Sequence, residues 1–136
     1  PPRSTLFPYT TLFRSWLPRQ GKIVDVTKIT FVEGKVNCIF YSAKYSSDTI
    51  SACYEGITFV LMQSTGVKDC NGKEIYEGDI VFWQWGEIGD NIYTNCGKEI
   101  VDSDFHNLAM LEEVDRLLVI GNIYENPELK KELIDD

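Results

Sequence analysis

The sequence is poor in the residues from which chemical centres are usually built. Its 136 residues include one histidine, two methionines and four cysteines. Cys38, Cys53, Cys70 and Cys96 are separated by 15, 17 and 26 positions, with no C-x-x-C pair. Zinc needs close ligand pairs or several histidines, so neither metal nor cofactor is expected. No segment approaches the roughly 20 apolar residues of a membrane-crossing helix. No secretory core with a small-residue cleavage site is present, which makes reduced thiols in a cytosol the default expectation. Ser64-Thr65-Gly66 is hydroxyl-rich but has neither a nucleophile elbow nor a phosphate-cradling loop. Nothing around Cys70 or Cys96 marks a nucleophile for His106 to activate. Positive charge is also scarce. Thirteen Lys and Arg against 21 Asp and Glu give a net charge of −8 and a pI near 4.6. That balance argues against bulk attachment to nucleic-acid backbone or an anionic membrane.

What is present describes a folded, mainly β chain. It is 43% hydrophobic and 25% charged, and its length suits one compact domain. Lys22–Phe31 and Lys35–Tyr41 are dense in β-branched and aromatic residues and predict two strands joined at Val32-Glu33-Gly34, with Gly34 at positive φ. Ser42–Ser51 reads as a loop. Gly56–Gln63 alternates Ile57, Phe59 and Leu61 against Thr58, Val60 and Met62, which predicts a third strand. Asn71-Gly72 and Glu77-Gly78-Asp79 mark two turns, with Asp69 and Asp79 placed to cap them. Ile80–Trp85 is bulky on both faces and must be covered on both. Gly86–Gly97 reads as a loop or irregular hairpin. Asp104 starts a short helix carrying Phe105, Leu108, Ala109 and Leu111. Leu117–Tyr124 predicts a last strand in which Gly121 permits a bulge or close packing. Asn126-Pro127-Glu128 then opens a helix over about 127–134, with Asn126 as its cap.

The first fifteen residues stand apart. Pro1–Ser15 contains no acid, begins without Met, and corresponds to the translation of a common sequencing-adapter string. We expect 1–15 to be non-native, either disordered or imitating a lost first strand, and 16–136 to form a single domain. Without Arg3 and Arg14 the remainder carries −10. A truncated first strand would expose a sheet edge and invite self-association.

Two segments carry a resemblance. LMQSTGVKDCNGKEIYEGDIV at Leu61–Val81 and VIGNIYENPEL at Val119–Leu129 closely resemble the YopX family of bacteriophage and prophage proteins, over residues 16–129. The resemblance implies a small SH3-like β-barrel with antiparallel hairpins and one or two short helices. It also implies an uncharacterised accessory protein in the cytoplasm of a bacterial host. The motif residues Gly66, Asp69, Asn71, Gly72, Gly78, Asp79, Gly121, Asn122, Asn126 and Pro127 read as scaffold, serving turns and caps. Tyr76, Ile80, Trp83 and Ile123 are suited to filling a barrel core.

Among candidate sites, the carboxylates Asp69, Glu74, Glu77 and Asp79 lack a calcium-loop pattern and read as a solvated rim rather than an acid–base or Mg²⁺ site. The aromatic set Trp83, Trp85, Tyr93 and Tyr124 is the best candidate for a binding surface, because Trp83 and Trp85 share one strand face. The competing reading places both indoles in the core. The leading expectation is a non-enzymatic protein-interaction module with a host or phage protein partner, a basic host factor among the candidates. The alternative is a small-barrel nucleic-acid binder, which the charge disfavours. An enzyme using the carboxylates ranks last.

Overall fold

A computed structural model describes residues 12–41, 54–55, 59–86, 95–102 and 108–134. The architecture is mainly β and antiparallel, with two short helices. Contacts group the chain into two compact units, 1–63 and 64–136. The boundary falls inside one strand, β5 (Val60–Lys68).

Unit 1 contains β1 (Phe13–Leu17), β2 (Lys22–Val32), β3 (Lys35–Tyr41), β4 (Tyr54–Glu55) and the opening of β5. Its strands pair in the order β4-β3-β2-β1-β5. Phe13–Ser15, which the sequence reading set apart with the adapter-like segment, stands inside this sheet. Arg14 faces Asp25 on one side and Met62 on the other. Ser15 is fully buried and satisfies its hydroxyl by donating to the Val60 carbonyl at 2.9 Å. The core of the unit is Leu17, Ile39 and Tyr41, packed by Val24, Val26, Ile29, Val36, Phe59 and Leu61. Phe59 and Leu61 therefore share a face, as their alternation predicts, but the strand begins at Val60 and runs on to Lys68. The β2–β3 turn is tighter than expected. Only Glu33 and Gly34 form it, at φ 53° and 79°, and Val32 belongs to the strand.

Unit 2 contains the remainder of β5, β6 (Glu74–Tyr76), β7 (Asp79–Trp85), β8 (Asn95–Ile100), α1 (Leu108–Glu113), β9 (Arg116–Asn122) and α2 (Pro127–Ile134). β5 pairs with β6, and β7 is central in a second sheet of order β8-β7-β9. β7 is covered on both faces over Asp79–Gln84, as its bulk requires, whereas Trp85 at its end is exposed. Val81 and Trp83 face a cluster of Ile75, Val101, Leu111 and Leu117. On the opposite face, Gly121 is paired with Ile80, and a Cβ there would meet the Asn126 side chain at 2.5 Å and Leu129 of α2 at 3.3 Å. Gly121 does stand beside a bulge: Val81 pairs with Val119 and Ile80 with Gly121, so Ile120 has no partner across the ladder.

The predicted loop over Gly86–Gly97 is corrected at its end, because Asn95–Ile100 is a strand. Its polar residues gave no alternation signal; it is recruited by backbone pairing with β7. Among the described residues the ladders are open, and no closed barrel forms. β6 and β7 flank a two-residue turn without zipping into a hairpin. The groups that would pair them are engaged elsewhere: the Tyr76 N–H donates to the Asp79 carboxylate, and the Gly78 N–H donates to the Val101 carbonyl. Phe105 and His106 lie outside the described residues.

The reduced-thiol expectation also needs correction. Cys70 and Cys96 are free and exposed, but buried Cys38 is disulfide-bonded. Sequence spacing carries no information on this, because antiparallel pairing sets Cys38 opposite Glu55, seventeen positions away.

Candidate interaction surface

The two segments that carry the resemblance meet in unit 2, and their polar side chains are occupied in joining backbone. Asp69 is buried beside the Asn71-Gly72 turn. Its Oδ1 accepts from the Asn71 and Lys73 N–H groups, both at 2.9 Å, and its Oδ2 accepts from the Val119 N–H at 3.1 Å. Burial by itself raises the Asp69 carboxyl. The N–H donors of Val119, Lys73 and Asn71, with the Lys73 charge, outweigh burial and hold it below its ordinary value. The Cys70 N–H donates to the Leu117 carbonyl at 2.8 Å, so turn and β9 are joined on both sides.

Asp79 is fully buried and accepts the Tyr76 N–H at 2.8 Å. Glu74 accepts from the Ser64 hydroxyl, and the Thr65 hydroxyl donates to the Ile75 carbonyl at 2.7 Å. The hydroxyls of Ser64 and Thr65 thus hold the irregular stretch of β5 around Gly66, where φ is 80°. The expected solvated rim is therefore corrected: of the four carboxylates, Asp69 and Asp79 are buried and bind backbone, half-buried Glu74 binds a hydroxyl, and Glu77 is half-buried in the β6–β7 turn. Among the described residues no group of three or more His, Cys, Asp or Glu side chains is placed to hold a metal ion.

At the C-terminal motif the capping roles are exchanged. Asn122, not Asn126, supplies the side chain that accepts two successive turn amides, from Tyr124 at 3.0 Å and Glu125 at 2.8 Å. Asn126 occupies the cap position, its carbonyl accepting from Leu129 and Lys130. Its side-chain oxygen turns back to accept the Asn122 N–H at 3.1 Å. A capping residue recognised by type alone gives no indication of which neighbouring amide its side chain will reach. Pro127 opens α2, whose span 127–134 is the one predicted.

The aromatic set is dispersed. Trp83 is half-buried against the unit 2 core, and its indole lies over Gly97, the residue opposite it on β8. A Cβ at Gly97 would sit 2.8 Å from that ring. Trp85, two residues on, is 46% exposed at the far end of the same strand. Tyr124 is half-buried beyond Asn122, which pairs with Asp79 at the other end of β7. Trp85 and Tyr124 are thus separated by the length of the strand, about 20 Å at 3.3 Å per residue. Tyr93 lies outside the described residues.

Trp85 has an acidic rim. The Asp115 N–H donates to the Gln84 carbonyl at 3.0 Å, and the Gly86 N–H donates to the Asp115 carboxylate at 2.6 Å. These bonds hold the end of α1, with exposed Glu112, Glu113 and Asp115, beside the Trp85 end of β7. Arg116, paired with Gln84, is the cation of that end among the described residues. The contribution of Asp115 was missed in the sequence, where it stands among many acids with no turn motif around it.

Division into units also redistributes the charge. Residues 1–63 hold seven Lys and Arg against four acids, and residues 64–136 hold six against seventeen. The first unit is therefore +3 and the second −11. A whole-chain charge of −8 conceals a basic unit and a strongly acidic one.

Among known proteins, the YopX protein family matches residues 12–131 of this chain. No curated protein matches significantly. A crystal structure described as protein EF1440 from Enterococcus faecalis is similar, with a TM-score of 0.53 and 29% identity. That likeness covers 87% of this chain and 96% of the other.

Proposed function

The chain belongs to the YopX protein family, and from that premise we propose that it is a non-enzymatic protein-interaction module of phage or prophage origin. The observation that carries this reading is Trp85. It is a large indole left 46% exposed on a strand whose other large side chains are at least half-buried, within a rim of acidic side chains. Exposed tryptophan at the centre of a polar rim is the usual composition of a contact hot spot. The carboxylates that would serve acid–base chemistry instead accept hydrogen bonds from backbone and hydroxyl groups, which supports scaffold over catalysis. A partner with a basic, apolar contact surface suits the −11 charge of unit 2.

The test is affinity capture from host lysate with the full chain and with Trp85→Ala, each with and without nuclease. A protein retained in both nuclease conditions and lost with Trp85→Ala supports the reading. Retention that disappears on nuclease treatment sinks it in favour of the small-barrel nucleic-acid binder. The +3 charge of unit 1 is the observation that keeps that second reading in view.

A further inference from the structure

β2 is longer than the strands that support it. Among the described residues, β1 pairs with it only as far as Asp25, and from Val26 onward β2 is paired with β3 alone. β4 reaches β3 only at Cys38 and Ile39. Past Thr30 and Cys38 the hairpin is therefore a two-stranded ribbon among the described residues, a form with little stability of its own in water. None of the eleven β2 residues is buried. Its tip exposes Phe31 by 62% and Val32 by 55%, with Lys28 and Lys35 exposed beside them. Glu33 and Gly34, both at positive φ, give the tip the type of turn that matches the twist of paired strands. The result is a defined arm that ends in two apolar side chains, with Lys35 and Glu33 at the tip itself and Lys28 further back, over the Phe40 ring.

We propose that this arm docks onto a second copy of the same chain, with the Trp85 end of the second copy's unit 2 as its seat. This rests on the reading of Trp85 as a contact anchor and names its partner. The chemistry of the two surfaces is complementary. The arm presents Phe31 and Val32 with Lys28 and Lys35, and Glu33 as its opposing charge; the seat presents Trp85 flanked by Glu112, Glu113 and Asp115, with Arg116 as its opposing charge. Units of +3 and −11 attract each other between copies, whereas two acidic units facing one another would repel. The contact is accordingly head-to-tail. Contacts of that kind close between two copies by reciprocal exchange of arms, close into a larger ring, or extend as a chain. A nucleic acid would match the arm but would be repelled by unit 2. A second copy uses both charges.

The experiment is sedimentation equilibrium on the full chain, at low and high salt, for four samples. These are the unaltered protein, Phe31→Ser with Lys35→Glu, Trp85→Ala, and an equimolar mixture of the two variants. All the changed side chains are exposed, so circular dichroism is expected to show both variants folded. The unaltered protein is expected to self-associate at low salt and to weaken as salt rises. Each variant alone should associate at least about tenfold more weakly, equivalent to about 1.4 kcal/mol. The mixture should regain a heterodimer, because each variant keeps the half that the other has lost. A monomer at both salt concentrations overturns the proposal. So does a mixture that fails to regain association, or association unaffected by either variant. A monomeric chain that still captures another protein through Trp85 removes the arm while leaving the proposed function standing. DNA retardation abolished by Phe31→Ser with Lys35→Glu overturns the arm in favour of nucleic acid.

Discussion

The two units of this chain are stabilised by different means. Unit 1 is a ladder of hairpins over a small apolar cluster, and its central strand β2 has no buried residue. Unit 2 has no strand as long as β2, and its strands are joined by side chains that accept backbone N–H groups: Asp69, Asp79, Asp115, Asn122 and Asn126. A ladder can lengthen or lose residues at its ends at small cost, because each rung is equivalent to the next. A side chain serving three amides cannot be replaced without leaving buried donors unpaired. Most of both motif segments lies in unit 2, and the β2–β3 arm belongs to unit 1.

Breaking the unit 2 device should give the largest effect. Asp69→Ala leaves the N–H groups of Asn71, Lys73 and Val119 without their acceptor. It should cost about 3 kcal/mol in urea denaturation, with the loss of amide-exchange protection centred on Val119 and Lys73. Unchanged protection there would mean that the turn is held by other contacts. Close packing comes next. Gly97→Val drives a side chain into the Trp83 ring and should cost about 2 kcal/mol, read from thermal unfolding followed by tryptophan fluorescence.

Acid should separate the units more gently. The Asp69 carboxyl lies below its ordinary value in the folded state, so its contribution is present above the unfolded value, 3.8, and is lost as pH falls through the lowered folded value. The acid limb of stability should therefore flatten in Asp69→Ala, and an unaltered limb would assign it to other carboxylates. In unit 1, Gly34→Ala places a side chain at φ 79° and should cost about 1 kcal/mol. The smallest effect has the opposite sign. Glu33→Asn suits the positive φ of the same turn better and should stabilise by about 0.5 kcal/mol in the same denaturation assay.

Local features were legible wherever a residue's role depends on its immediate neighbours. The strand Lys35–Tyr41, the positive φ of Gly34 and the span of α2 follow from propensity, turn chemistry and the Asn-Pro-Glu start. The bulge at Gly121 and the capping by Asp69 and Asp79 were legible for the same reason. β8 was not, because an edge strand of Asn, Cys, Gly, Lys and Glu with a single apolar Ile100 at its end has no alternation until β7 offers it a ladder. The aromatic set was grouped by residue type, and only strand length and burial divided it into a packed Trp83, an exposed Trp85 and a remote Tyr124.

By itself, the sequence determined that the chain is mainly β, where its turns lie, and to which family it belongs, since these depend on side-chain identity over a few neighbouring positions. The tertiary structure alone decided that a net acidic chain contains a basic unit, that Cys38 is oxidised, and that Val119 completes the shell of Asp69. Each of these depends on residues tens of positions apart, brought together or kept apart by strand pairing. The energies that fix such pairings come from burial and ladder register, which no local window of sequence contains.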